Sequence, residues 1–392
     1  MKTVMILGGD GYLGWSIALA LASRSDTQVV IVDSYGKRKW EKETGVMPLF
    51  PIPYMGERIY EYGKLTGRHN MLMLSIDVAN SDLMDDLVKR YPPDAIINAA
   101  QQPSAPYSMM DPNKARFTIE NNNSTCLSVL WTVAKNCPDT LVINIGSAGA
   151  YLSIDADFIP KKKVNFQFNH HGMLHSVLNS WLPMQASDFY HQSKANTFAL
   201  TDICTKLWNL RCVTMMQSII FGNCIPENRD SIELATRFSY DHVFGTVLNR
   251  FVCQAAIKHP LTVYGDGEVI TGLSCLPCAV DSYIRLLDYE VKPGMHLVEN
   301  NFTHRLSIKQ IAKRISELSG VEAQYIPNPR DGEDNCTLGK TFEAPVLVTE
   351  NDVRTCDGVI EEMLDFARRF SYNINTNHIL PQVKWRVNGH HK

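Results

Sequence analysis

The chain has 392 residues, 45% of them hydrophobic, enough to bury a large core in one α/β domain with a smaller lobe. Lys and Arg total 38 against 41 Asp and Glu, a formal net charge of −3, so no broad basic surface favours nucleic acid or an anionic membrane. The short apolar run after Met1 leads into glycines, unlike a signal peptide, and no apolar run reaches the roughly 18 residues that span a bilayer. A cytoplasmic protein with small-molecule partners is expected, its ten cysteines acting as buried thiols.

Val4 to Leu7 reads as a strand, followed by Gly8-Gly9-Asp10-Gly11-Tyr12-Leu13-Gly14, an alanine-rich helical segment, the strand-like run Val29 to Val32 and then Asp33. Gly8 suits the tight turn, Gly11 the close backbone approach to a pyrophosphate, and Gly14 the packing of helix on strand; free N–H groups at the helix start bind phosphate oxygens. Asp33, 19 positions after Gly14, stands where an acid hydrogen-bonds the adenosine ribose of a dinucleotide. Further strand-like runs follow at Met71 to Leu74, Ala95 to Asn98, Leu141 to Ile145 and Val213 to Ile220. The alternation predicts a Rossmann-type, doubly wound parallel sheet, with ligands gathered beyond the carboxyl ends of its strands. Asp33, Asp77, Gln101, Gln102, Ser147 and Gln217 occupy such positions.

The stretch from Tyr151 to Met184, with Lys161-Lys162-Lys163 and His170-His171, has little periodicity and is expected to form a loop near the site over 151–186. After about residue 222 the alternation fades into proline-bearing loops and helices such as Ser307 to Ser319. This gives a mainly dinucleotide-binding domain over 1–222 and a smaller, mainly substrate-binding lobe over 223–392, with the chain free to cross between them. Cys275-Leu276-Pro277-Cys278 reads as a redox couple, half a zinc site or merely two core thiols.

Tyr190-His191-Gln192-Ser193-Lys194 opens a helical stretch, and residues four apart share a helix face. An ammonium beside a phenol lowers the phenol's pKa, so that it removes a hydroxyl proton while hydride leaves the same carbon for nicotinamide. Ser147, just past the fifth run, is set to hydrogen-bond the same oxygen. Tyr-x-x-x-Lys recurs by chance on surface helices; with the glycine turn and a strand-end serine it reads as a catalytic set.

With these motifs the chain resembles the extended short-chain dehydrogenase/reductase family, of the NAD-dependent epimerase/dehydratase kind, and within it the UDP-sulfoquinovose synthase group. The specific carriers are Ser104-Ala105-Pro106-Tyr107-Ser108-Met109, the block Phe244-Gly245-Thr246 with Leu248-Asn249-Arg250-Phe251, His259 to Gly265, Pro327-Asn328-Pro329-Arg330, and Lys384 with Trp385. The resemblance implies NAD, a UDP-linked sugar oxidised transiently at C4, a homodimer and no metal. It assigns to the cofactor Gly8, Asp10, Gly11, Tyr12, Leu13 and Gly14 of the turn, Asp33, Ser34 and Arg38, then Asp77, Val78, Ala99, Ala100, Asn122 and Gln217, together with Tyr190 and Lys194. On the substrate side it sets Gln102, Ser104, Tyr107, Gln217, Thr246, Asn249, Arg250 and Arg330, with Ser147, Tyr190 and Lys194 catalytic. The basic pair Lys37-Arg38 leaves NADP open as the alternative.

Three departures fall in the substrate region. Where the group carries a carboxylate after the strand-five hydroxyl, this chain reads Ser147-Ala148-Gly149-Ala150-Tyr151, and alanine neither takes nor gives a proton. His170, His171, His175 and Cys275 are the candidate substitutes. The group's Gln-Arg is here Gln102-Pro103, and the arginine usual after Tyr264-Gly265-Asp266-Gly267 is missing from Thr271-Gly272-Leu273-Ser274. Epimerisation, elimination and release of a keto sugar all stay open. So do a dehydrogenase of a sugar or cyclitol without nucleotide and a non-catalytic dinucleotide sensor.

Overall fold

Val4 and Ile6 pack into one apolar cluster and Met5 and Leu7 into another, and Val29 and Ile31 part from Val30 and Val32 in the same way. Successive side chains of a strand leave on opposite faces, so these strands are covered on both sides, as a parallel sheet requires. In a computed structural model, which describes residues 1–151, 158–329, 341–343, 347 and 350–385, they form the middle of a seven-stranded sheet. Its strands are β1 (Lys2–Leu7), β2 (Thr27–Val32), β3 (Met71–Leu74), β4 (Ala95–Asn98), β5 (Leu141–Ile145), β6 (Arg211–Gln217) and β7 (His296–Asn301). They lie in the order β7-β6-β5-β4-β1-β2-β3, every pairing parallel. The order reverses at β1, where the crevice of a doubly wound sheet opens. One face is covered by α1 (Tyr12–Ala22), the other by the long helices α2 (Pro112–Asn136) and α3 (Phe189–Trp208).

A second core forms around Phe251, Leu261, Val263, Leu273, Ile311, Ile315 and Met363. It draws on α4 (Val247–Ala256), and the chain crosses between the lobes in both directions. Leu49 from the first half packs into this second core, whereas β7 returns to the main sheet beside β6. Strand alternation therefore resumes after residue 222 instead of ending there. Among the described residues no helix is long and apolar enough to cross a membrane.

Two sequence expectations need correction. The run Val213 to Ile220 is not one strand: β6 ends at Gln217, and Ile219–Phe221 joins a separate three-stranded sheet against Ile270–Cys275. At the break Ser218 packs closely on the second sheet, where a Cβ on Gly272 would lie 2.4 Å from its Oγ. Over the described residues 158–186 the expected loop is not what the structure shows. Its strands Val164–His170 and Met173–Ser180 pair as an antiparallel hairpin, and no described residue of 158–186 lines the main cavity. His171 and Gly172 at the tip both have positive φ (51° and 77°), the geometry of a type I′ turn.

Gly14 packs α1 onto the turn so closely that a Cβ there would stand 2.3 Å from the Gly8 carbonyl oxygen. Backbone cannot yield as a flexible side chain does, so the overpacking cost of about 1–3 kcal/mol outweighs the roughly 1 kcal/mol that alanine gains in a helix. Gly14→Ala is expected to lower the thermal midpoint and Gly56→Ala, with nothing within 4 Å, to hold or raise it. Thermal unfolding of the two variants side by side checks this.

Candidate active site

The site begins at the glycine turn. Gly8 has φ of 83°, and a Cβ on it would meet the Ala99 carbonyl oxygen at 2.5 Å, so the turn can sit against β4 only without a side chain. Helix α1 starts after Gly11 with no side-chain cap and no acidic residue in its first turn. Its first N–H groups and the positive end of its dipole therefore favour an anion. Asp33, at the end of β2, accepts hydrogen bonds from Asp10 N (2.8 Å) and Tyr35 N (2.6 Å), and burial pushes its carboxyl pKa up.

A cavity of about 580 Å³ runs from this turn across the carboxyl ends of the strands. Gly8, Gly11, Tyr12, Leu13, Gly14, Asp33, Ser34, Asp77, Val78, Ala99 and Ala100 line one end, Ser147, Tyr190 and Gln217 the middle, and Ser104, Thr246, Asn249 and Arg250 the other. An uncapped helix start, a close-packed glycine turn and a strand-end acid on one elongated wall fit an extended dinucleotide. Among the described residues no group of three His, Cys, Asp or Glu is arranged to hold a metal ion.

Asp188 caps α3 by accepting from His191 N (2.9 Å), which sets the phase of the helix and turns Tyr190 to the cavity. Lys194, one turn on, is buried; its ammonium donates to the Ile145 carbonyl (2.5 Å) and to Gln101 Oε1 and lies 5.6 Å from the centre of the Tyr190 ring. Ser147, two residues past β5, accepts from Gly149 N (3.2 Å). The pKa directions differ from the sequence expectation. Burial, with a smaller contribution from Asp188, pushes the Tyr190 phenol up, and burial brings Lys194 down to about 7. In the protein alone desolvation outweighs the attraction between the pair.

Several residues assigned to the ligands stand behind the wall. Asp10 is fully buried, and its carboxylate meets Arg38 Nε (2.7 Å), Arg58 (2.5 Å) and Arg237 (2.9 Å). Arg38 also donates to the Ile52 and Pro53 carbonyls and does not line the cavity, so it is committed to Asp10 rather than presented to a cofactor phosphate. Lys37 does line it, its ammonium 2.9 Å from the centre of the Phe244 ring and brought down to about 7 by burial. Gln102 and Asn122 hold each other: Gln102 N donates to Asn122 Oδ1 (2.8 Å), and Asn122 donates to the Gln102 carbonyl (3.1 Å) and to Ser193 Oγ (2.9 Å). Tyr107 donates to Glu43 (3.1 Å) and stacks on Phe244, off the cavity. Arg250 is on the wall and donates to the Tyr264 hydroxyl (2.7 Å). Arg330 lies outside the described residues.

None of the four proposed substitutes for the missing carboxylate lines the cavity: His170, His171 and His175 sit on the hairpin, and Cys275 is buried. His191 does line it, and the sequence reading missed it. A Cβ on Gly149 would lie 2.2 Å from His191 Nε2, so the imidazole fills the space that glycine leaves open within Ser147-Ala148-Gly149-Ala150. Its Nδ1 meets Asp188 Oδ2 at 2.5 Å, which holds the ring and leaves Nε2 toward that turn. The signal was present: Asp188-x-x-His191 has the spacing at which a helix cap and its third residue meet. Arg237, on the wall and bound to both Asp10 and Glu41, had no signal in the sequence.

A family model described as the NAD dependent epimerase/dehydratase family matches residues 4–271. The chloroplastic UDP-sulfoquinovose synthase of Spinacia oleracea is 31% identical over 99% of this chain and 80% of its own length. The UDP-sulfoquinovose synthase of Sulfolobus acidocaldarius is 32% identical over 98% of this chain and 97% of its own. Among solved structures, a Bifidobacterium longum UDP-glucose 4-epimerase in complex with NAD⁺ and UDP superposes with a TM-score of 0.68 at 17% identity, covering 95% of this chain and 100% of the other. A Bacillus cereus UDP-glucuronic acid 4-epimerase, in complex with UDP-glucuronic acid and NAD, gives 0.66 at 15%, covering 94% and 99%. These two share the fold.

Lys194 gives the site a pH signature. Between about 7 and the ordinary lysine value the unfolded chain keeps a proton that the folded chain releases, so this residue's contribution to stability climbs with pH by at most about 1.4 kcal/mol per unit. Lys194→Met carries no such proton. Its thermal midpoint relative to the parent is expected to be most favourable at or below a pH of about 7 and to fall as pH rises toward about 10, measured by thermal unfolding across a buffer series.

Proposed function

The chain belongs to the NAD dependent epimerase/dehydratase family, and we propose that it is an NAD-dependent enzyme that remodels a UDP-linked sugar through transient oxidation at C4. The observation that carries this reading is one cavity shared by an uncapped helix start, Asp33, Ser147, Tyr190 and His191. Bound NAD supplies the acceptor that takes the C4 hydride and later returns it. Tyr190 removes the C4 hydroxyl proton while Ser147 hydrogen-bonds the same oxygen. Lys194, in its ammonium form, stabilises the phenolate from one helical turn away, its nitrogen 5.6 Å from the centre of the Tyr190 ring.

A C4 ketone acidifies the proton on the neighbouring carbon, and a base is then needed where Ala148 and Ala150 offer none. His191 supplies it, with Asp188 holding Nδ1 so that Nε2 exchanges the proton. This favours reactions with a proton transfer beside the ketone, elimination or epimerisation, over simple release of the ketone. At the far end Arg250, Thr246 and Asn249 are suited to the nucleotide diphosphate, and Thr271, in the run that lacks the usual arginine, lines the cavity.

We also propose a cytoplasmic homodimer. The eight cysteines from Cys126 to Cys278 are thiols, and Leu127 and Trp131 on α2 with Ile203 and Leu207 on α3 form an exposed apolar face suited to a second copy.

The test is a panel of UDP-sugars incubated with the purified protein, followed by the near-ultraviolet absorbance of reduced nicotinamide. Tyr190→Phe is expected to lose about 10²–10⁴-fold in turnover while still retaining NAD. Silence of the parent across the panel would overturn the reading. In heavy water the parent is expected to place deuterium beside C4, seen by mass spectrometry of the sugar. His191→Gln should lose that exchange yet still form reduced nicotinamide, which separates its role from that of Tyr190.

A further inference from the structure

The motif that the reaction leaves unused is Cys275-Leu276-Pro277-Cys278. Strand Ile270–Cys275 ends on the first cysteine, which is also the N-cap residue of α5 (Leu276–Leu286). Cys278 follows in the first turn of that helix. A proline at the second helical position costs no hydrogen bond there and stiffens the turn that brings the two side chains together. Their sulfurs stand 2.8 Å apart, and both residues are buried, at 0% and 2% exposure. That separation exceeds the roughly 2.05 Å of a disulfide by less than an ångström, so closing the bond asks for side-chain rotation and no rebuilding of the fold. The half-zinc reading lacks its other half: among the described residues no third His, Cys, Asp or Glu joins the pair in a metal-holding group.

The pair is wired to the cavity at both ends. Leu276, between the cysteines, packs on Gly222, where an added Cβ would stand 3.1 Å from its own Cβ. The Gly222 carbonyl in turn accepts the hydroxyl of Tyr12, a residue of the glycine turn and of the cavity wall, at 2.8 Å. At its other end, the strand that terminates in Cys275 carries Ile270 and Thr271 on the same wall. A change at the sulfurs therefore reaches the cofactor end and the substrate end through one strand and one turn.

We propose that Cys275 and Cys278 are a dithiol–disulfide couple whose oxidation state adjusts this cavity, with a low-molecular-weight disulfide as the oxidant. One cysteine, as thiolate, attacks a sulfur of the incoming disulfide and expels one thiol, leaving a mixed disulfide. The second cysteine attacks the protein sulfur of that bond, forming the Cys275–Cys278 disulfide and releasing the second thiol. The two protein thiols lose two electrons and two protons, and the small disulfide gains both. Because the pair is buried, the first attack waits on local opening of the second lobe, so oxidation is slow relative to turnover.

The experiment uses the full-length protein equilibrated with mixtures of reduced and oxidised glutathione, quenched by alkylation and digested. The peptide joining residues 275 and 278 is expected to appear as one two-electron transition across the series, with turnover changing in parallel by at least about twofold. Cys278→Ser should lack that transition and keep its turnover under oxidant, whereas Cys224→Ser should retain both responses. Full alkylation of both cysteines in the most oxidising mixture, a bond from Cys275 to Cys224 instead, or disulfide formation without any change in turnover would each overturn the proposal. The mass readout stands apart from catalysis, so failure of the couple and failure of the proposed reaction are told apart.

Discussion

A single buried carboxylate holds the architecture together. Asp10, inside the glycine turn, has no exposure and faces Arg38 from the segment after β2, Arg58 from the helix Met55–Thr66, and Arg237 from the second half of the chain. A lone buried charge would cost several kcal/mol; surrounded by three guanidinium groups, and with its backbone N–H given to Asp33, it ties the cofactor turn to three separate stretches of chain. Arg237 in turn reaches Glu41, whose side chain is buried as well. Such a network is poor evidence for net stability, because equally well-packed apolar groups would serve. Its value is geometric, since three guanidinium groups from separate stretches of chain converge on one carboxylate and so fix where the turn sits.

Helix α3 is set by a similar economy. Asp188 closes the first turn of α3 with one oxygen and holds the imidazole of His191 with the other. The residue that starts the helix thus also fixes the imidazole beside Tyr190, and Gly149 leaves the room that the ring needs. The half-buried phenol of Tyr190, the buried Lys194 and the paired imidazole of His191 share one helix end, so their placement is fixed by helical geometry rather than by a loop.

Much of this was legible in the sequence, and for definite reasons. The strand, glycine turn, helix, strand and Asp33 were readable because β1 and β2 are apolar on both faces and glycine is demanded at fixed offsets. The tyrosine and lysine showed through their spacing. Strand β7 did not, because Glu299, Asn300 and Asn301 are buried in it and read as loop residues. Their partners, Lys161, the Glu343 carbonyl and Gln217, come from distant parts of the chain. The hairpin was missed because Phe168, Met173, Leu174 and Leu178 remain exposed on both of its faces, which erases the alternation that marks a half-buried strand. Arg38 was assigned to the cofactor by resemblance, and no motif reveals that Asp10 holds its guanidinium.

The exchange of segments between the two lobes bears on how the molecule comes apart. If the second half were cut away, β6 would be left as a raw sheet margin with its ladder groups bare, an invitation to intermolecular pairing. If the first half were lost, the other core would be missing Leu49. The halves are laced together like two hands with interlocked fingers, each lending a segment to the other's sheet or core.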